Sequence, residues 1–337
     1  MKSKLLICLL FVTFFLPIKG YAAETNNVDY SVEPILPTNQ IDRGNTFFDL
    51  KVQPKTEQKI QLQINNFAKT EQTFQISVND AKTNSNLVID YSKKNKTQTT
   101  SEKQLSDCFN YPKKVTIPAQ KAGIVSLTLK VPKEKFDGIL LGGIQIKKDS
   151  NAKKTKINGI TTDYDYIVGV MLSETDKVIT PKLTLESIKP DAIHNNAGIK
   201  VTLKNSQPIN LTAVKMQGNI YKAEKKEPVI TRVIEKGSIA PASTFDLAFY
   251  NGQQGTTKPL KAGKYRLELT FQDEKNHRWD FKSDFTISKK QAEVVNNQVF
   301  VVKKDNTLLY IVIGILLALL FVVILLWLKH RKKNEAE

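Results

Sequence analysis

The side chains that do chemistry are sparse in this sequence and poorly spaced for it. Of three histidines, His194 and His277 each sit among polar, turn-forming residues with no second His, Cys or paired acid at ligand spacing, and His330 falls in a basic run near the C-terminal end. No metal site is expected. Ser150-Asn151-Ala152-Lys153 spells an S-x-x-K, in which a lysine activates a serine hydroxyl. That chemistry needs the motif to open an apolar helix, whereas here it lies in a polar stretch with no S-D-N or K-T-G companion. Neither a G-x-S-x-G nucleophile turn nor a glycine-rich phosphate loop occurs. A sugar-cleaving pair of carboxylates leaves no local signature, so that class is disfavoured only. Catalytic residues, cofactor and metal are all expected to be absent.

Whatever site the chain carries must be held between two apolar segments. Lys2 and Lys4 precede the apolar run Leu5 to Leu16, and Gly20-Tyr21-Ala22-Ala23 supplies small residues for cleavage, which predicts a signal peptide over residues 1–23. At the other end, Leu308 to Leu328 is 21 residues without a charge or a proline. As a helix it spans ~31 Å, the thickness of a bilayer's hydrocarbon core, and it is predicted to be a membrane anchor. Lys329, Arg331, Lys332 and Lys333 follow at once, so residues 329–337 are expected to be a basic cytoplasmic tail. The expected localisation is the cell membrane, single-pass, with the N-terminal domains outside. Leu36-Pro37-Thr38-Asn39-Gln40 begins like a sortase substrate but ends wrongly and lies far from the span. The chain is therefore expected to stay in the membrane.

The leader and the tail together carry seven of the 50 basic residues and two of the 33 acidic ones. The remaining 43 basic and 31 acidic residues leave a net +12 on the outer segment. Such a surface favours anionic polymers; for an exported domain these are wall polymers, wall carboxylates or acidic proteins, not nucleic acid. Single runs such as Lys93-Lys94-Asn95-Lys96 or Lys153-Lys154-Thr155-Lys156 read as solvated surface. Of two cysteines, Cys8 leaves with the signal peptide and only Cys108 remains, so no internal disulfide can form and the fold must hold by its core alone. The chain has 45 lysines against 5 arginines. With the absent disulfides, this lysine bias points to an AT-rich, Gram-positive source.

Ile60, Leu62 and Ile64, then Phe74, Ile76 and Val78, then Val125, Leu127, Leu129 and Val131 alternate with polar residues. Period two predicts strands with one buried face. Turn clusters, Asn65-Asn66 and Ala81 to Asn86 among them, separate these strands. Gly142-Gly143 interrupts the nearly all-apolar Asp137 to Ile146, which predicts a strand buried on both faces where the backbone is closely approached. Ile199, Val201 and Leu203 run into Asn205 as Ile60, Leu62 and Ile64 run into Asn66, and Ile239-Ala240-Pro241-Ala242 echoes Ile117-Pro118-Ala119. The expected fold class is all-β: two tandem immunoglobulin-like β-sandwich domains plus one C-terminal transmembrane helix. The first domain is placed at 28–150, with an end near Glu174 if Tyr164 to Leu172 closes it, and the second at 163–288. Trp279, Phe281, Phe285 and Ile287 are read as an aromatic core in the last hairpin. Residues 289–307, whose valines give no clean face, are read as a juxtamembrane spacer.

The ordered set Pro37-Thr38-Asn39-Gln40, Phe48-Asp49-Leu50, Thr83-Asn84-x-Asn86, Asp90-Tyr91, Val131-Pro132 and Phe136-Asp137-Gly138-Ile139 through Gly142-Gly143 resembles the first domain of the WxL-interacting proteins of Gram-positive bacteria. Ala240-Pro241, Ala262-Gly263-Lys264-Tyr265, Trp279-x-Phe281 and Phe285-x-Ile287 resemble their second domain. Leu87 departs from the pattern, standing where glycine is expected after Asn86, and Ile239 stands where methionine is common. The resemblance implies a cell-surface protein whose first domain binds peptidoglycan and whose second binds a host or partner protein. WxL-domain surface proteins and peptidoglycan are thus the expected partners, with anionic wall polymers or host matrix proteins besides. No residue-level ligand map comes with it. The expected function is a membrane-anchored adaptor; an adhesin for host matrix and a cell-wall-modifying enzyme are the alternatives.

Overall fold

A computed structural model describes residues 28–92, 103–149, 164–223, 225–253, 256–299, 311–322 and 324. The leader, Leu308, Leu328 and the basic tail with Lys329, Arg331, Lys332 and Lys333 lie outside them, as do Lys93 to Lys96 and the Ser150 to Lys156 stretch.

Alternation does what it predicts: each period-two run becomes a ribbon with one buried edge of side chains. The first sandwich uses β1 (Tyr30–Ile35), β2 (Phe48–Lys51), β3 (Glu57–Asn66), β4 (Gln72–Asp80), a small hairpin of β5 (Lys82–Thr83) and β6 (Ile89–Asp90), β7 (Phe109–Asn110), β8 (Lys114–Ile117), β9 (Ala122–Lys130), β10 (Ile139–Lys148) and β11 (Asp165–Ser173). One sheet runs β1-β3-β9-β7 and the other β2-β11-β10-β4-β8. Ile60, Leu62 and Ile64 of one sheet and Phe74, Ile76 and Val78 of the other share one core. The Tyr164 to Leu172 stretch pairs antiparallel with β10 and parallel with β2, so it belongs to this first sandwich. Gly142 and Gly143 sit in the central strand β10, where a Cβ on Gly143 would come within 2.9 Å of the Tyr91 Cβ and the Ile167 Cγ2.

The second sandwich uses β12 (Leu183–Ile193), β13 (Asn196–Asn205), β14 (Leu211–Lys222), β15 (Ile230–Ile239), β16 (Ser243–Tyr250), the short β17 (Gly252–Gln253) and β18 (Thr256–Thr257), β19 (Gly263–Gln272) and β20 (Arg278–Ile287). Its sheets run β12-β13-β16 and β15-β14-β19-β20. Ile199, Val201, Leu203, Phe245, Leu247, Phe249, Leu267, Leu269 and Phe271 fill the core between them.

Three expectations need correction. Asn65 and Asn66 are not a turn but the last residues of β3, and Asn66 is buried. Residues 289–298 of the supposed spacer form a helix, α1 (Lys289–Gln298), opened by a capping box in which Ser288 Oγ accepts from Gln291 N and the Gln291 side chain accepts from Ser288 N. Its face of Ala292 and Val295, continued by Val299, is buried in the second core, while Val294 is exposed and Val301 and Val302 lie outside the described residues. In the last hairpin Tyr265 and Phe271 of β19 and Ile287 of β20 are buried, whereas Trp279, Phe281 and Phe285, on the edge strand β20, are only partly buried against the second core. Of the expected membrane span, residues 311–322 are helical with exposed apolar side chains, and no helix among the described residues is long and apolar enough to cross a membrane. The remaining positions of 308–328, apart from 324, lie outside the described residues.

Candidate functional site at the junction of the sandwiches

The residues singled out as chemical candidates do not converge. His194 and Asn195 form the two-residue turn between β12 and β13, both with positive φ (49° and 61°), a backbone that matches the twist of the strands it joins. His194 Nδ1 lies 2.9 Å from the Tyr250 hydroxyl. His277 lies in another turn, its Nδ1 2.7 Å from Asp273 Oδ2. Cys108 is buried in a 3-10 turn, Leu105–Cys108, and burial pushes its thiol up to about 12, so it is a core residue and not a nucleophile. Among the described residues no three His, Cys, Asp or Glu side chains come together as metal ligands.

What does converge is the set of stretches that carried the family resemblance. In the β5–β6 hairpin, Asn84 Oδ1 accepts from Asn86 N at 2.9 Å and Val88 N at 3.1 Å, and Leu87 N donates to Asn84 O at 3.0 Å. One asparagine side chain thus folds the loop. The loop lifts Leu87 out of the first sandwich and into the hydrophobic core of the second, where it is 1% exposed. Leu87 holds a positive φ of 54°, which explains why glycine would be at home there. The left-handed conformation costs a leucine ~1–2 kcal/mol. Full burial of its side chain returns ~1.5–3 kcal/mol, so the knob is tolerated where a surface leucine would not be. The second sandwich makes room with Gly237, where a Cβ would stand 2.6 Å from the Leu87 Cβ.

Polar contacts surround the knob. Ser238 N donates to Leu87 O at 2.6 Å and Ala240 N donates to Thr83 Oγ1 at 2.8 Å. Arg232 spans the seam, donating to Ser85 O at 2.6 Å and Asn86 Oδ1 at 2.8 Å through Nη2 and to Ala248 O through Nη1. Its burial without a carboxylate partner lowers its pKa. On another side of the seam, Ile139 N donates to Pro208 O at 2.8 Å. Nearby, Asp137 accepts from Thr175 Oγ1 at 2.9 Å and Lys177 Nζ at 2.6 Å, and Phe136 N donates to Glu174 Oε2. Thr83-Asn84-x-Asn86 and Phe136-Asp137-Gly138-Ile139 are therefore clasps that fix one sandwich against the other. Sequence reasoning noticed these residues but had no signal for what they touch.

The clasp leaves a cleft of about 470 Å³ between the sandwiches, lined on one side by Lys82 and Asp90 and on the other by Asp191, His194, Lys200 and Asp246. Lys200 and Asp191 are paired at 2.7 Å, and the hydrogen bond from Lys200 to Asp191 raises the lysine's pKa. Asp246 accepts from Thr202 Oγ1 at 2.7 Å. Charges of both signs close together give the cleft a hydrogen-bonding character rather than a strong net field, suited to a ligand with hydroxyl, amide and amine groups.

Among solved structures, the chain is similar to the Pseudomonas aeruginosa CupB2 chaperone (11% identity, 70% of this chain and 97% of that one, TM-score 0.28). It is likewise similar to the YadV chaperone (10%, 76% and 100%, 0.31) and the E. coli chaperone DraB (12%, 77% and 98%, 0.29). No curated protein matches it. Two family models match in sequence order: the WxL Interacting Protein peptidoglycan binding domain over residues 30–148, and the WxL Interacting Protein host binding domain over residues 155–297. The second match begins before β11, although that strand completes the first sandwich. With both models matched over most of its length, the chain belongs to the WxL-interacting protein family.

Proposed function

We propose that this protein is a membrane-anchored, non-enzymatic adaptor of the cell surface that holds peptidoglycan with its first sandwich and a WxL-domain protein with its second. The observation that carries this reading is the ordered match of a peptidoglycan binding model and a host binding model to two successive sandwiches. The clasp adds to it: Leu87, buried in the second core, and Arg232, hydrogen-bonded to the hairpin of the first sandwich, link the two units. Anchoring through residues 308–328 is supported by their composition and by the basic run after them. The same reasoning puts both sandwiches outside the cell and the tail inside.

The test is titration of the purified full chain, in mild detergent, against peptidoglycan and against a WxL-domain protein at two salt concentrations. Binding to anionic wall polymer is expected to weaken steeply with salt, since charges more than ~8 Å apart are largely screened at physiological ionic strength. Binding to the WxL protein through packed surface should change much less. A chain that binds neither ligand ends the adaptor reading, and release of soluble muropeptides ends the non-enzyme reading. The net +12 of the outer segment and the host binding model also favour adhesion to host matrix, which the same titration with matrix protein measures.

A further inference from the structure

Edges of β-sheets are open rows of backbone donors and acceptors, and proteins guard them with short strands, prolines, bulges or covering elements. Nearly every edge among the described residues is guarded in one of these ways. In the first sandwich β1 is six residues long and contains Pro34, β2 and β8 have four residues each, and β7 has two. In the second, β12 contains Pro190, is bulged between Leu185 and Ser187, and lies under α1. The β14–β15 ladder is bulged twice, with Leu87 O bound at the end of β15, and β16 lies beside β5. β20 is different. Its ten residues pair with β19 from Gly263↔Ile287 to Gln272↔Arg278 without a register shift, contain no proline, and have no strand on the other side among the described residues.

The outward face of β20 reads Arg278, Asp280, Lys282, Asp284, all exposed, and its inward face carries Trp279, Phe281 and Phe285, partly buried against the second core. Residues directly opposite in an antiparallel pair share a face, so a second β20 can align only in steps of two residues. Centred on Phe281, two copies set Arg278 opposite Asp284 and Asp280 opposite Lys282, each pair occurring twice by symmetry, with Phe281 facing its twin. Centred on Lys282 instead, Lys282 faces Lys282 and Asp280 faces Asp284. Centred on Asp280, Asp280 faces Asp280 and Arg278 faces Lys282. Like charges directly opposite are destabilising, so one central register is favoured and its neighbours are rejected. Asp280 already holds Arg278 at 2.8 Å and Lys282 reaches Glu268 at 3.3 Å, but all three β20 side chains are more than half exposed and open to a partner.

We propose that β20 is a self-association edge: two copies of this chain pair antiparallel through β20 with Phe281 on the two-fold axis, joining their four-stranded sheets into one continuous sheet. Charge complementarity of β20 with itself selects a second copy as the occupant. The experiment is sedimentation velocity of the purified full chain in mild detergent across a concentration series. Wild type should form a dimer that salt weakens. Asp280→Lys and Lys282→Asp, each checked for native circular dichroism, should each weaken it roughly tenfold or more by setting like charges opposite twice. The double variant D280K/K282D restores opposite charges and should recover the dimer, which a merely destabilised chain would not. A wild type that stays monomeric, a dimer indifferent to the single reversals, or a double variant that fails to recover each overturns the proposal. So does a monomeric wild type that loses a WxL-domain protein on single reversal, since the edge would then serve a partner's strand.

Discussion

The two sandwiches share a corner and differ at their rims. In the first, the buried Asn66 ends β3 and its amide donates to Thr70 O, Ile117 O and Pro118 O, each at 3.0 Å, while its Oδ1 accepts from Ala68 N. In the second, the buried Asn205 ends β13, donates to Ile209 O at 2.8 Å and Ala240 O at 3.0 Å, and accepts from Gln207 N. The faint sequence echo between the two halves is thus the same hydrogen-bonded corner made twice. At the rims the units diverge: the first has short edge strands and extends a hairpin, whereas the second receives that hairpin in its core and leaves β20 open. A shared corner secures the fold of each unit; unlike rims decide what each unit can join.

Leu87 is where this asymmetry is most exposed to mutation. Leu87→Ala should destabilise the protein by roughly 3 kcal/mol, because it leaves a cavity in the second core and loosens the clasp at once. Chemical denaturation of the full chain, read through Trp279 fluorescence, measures it. A loss below about 1 kcal/mol would mean that the hairpin lifts off without disturbing the second sandwich.

The corner can be tested for equivalence. Asn66→Ala and Asn205→Ala each strand buried carbonyls and should each cost roughly 2 kcal/mol. Asn66 should be the more costly of the two, since it serves three carbonyls against two. Thermal melts of the paired variants decide this, and a neutral outcome at either position would break the likeness between the units.

Gly143 sharpens what is particular to the first sandwich. Gly143→Val should destabilise by roughly 1–3 kcal/mol, because its Cβ would press on Tyr91 and Ile167 from a central strand. An unchanged melting temperature would show that Tyr91 swings away freely.

The smallest expected effect is at Asp137 beside the junction. Hydrogen bonds from Lys177 and then Thr175 hold its carboxyl below the ordinary 3.8. Its contribution to stability is therefore complete above the unfolded value near pH 4 and is lost as pH falls through the lowered folded value. Wild type and Asp137→Asn should differ slightly at pH 6, with the difference shrinking as pH falls below about 4. A gap that stays constant across that range would place the effect elsewhere.

Much of this could be read from the residues alone, because alternation is a local property. Ile60, Leu62 and Ile64, or Tyr265, Leu267, Leu269 and Phe271, face a core wherever the strand is placed, since successive side chains of an extended chain point opposite ways. The glycine pair, the solitary Cys108 and the scattered histidines were equally legible, and with them the lack of any local catalytic signature. What the sequence could not determine was which strands lie at edges and what the loops touch. Leu87 reads as an odd residue in a polar turn until Gly237 and Arg232 are brought to it from about 150 positions away. The charges of β20 read as ordinary surface until the sheet order leaves that strand paired on one side only among the described residues. Both depend on which distant strands meet, and only closure of the two sandwiches decides that.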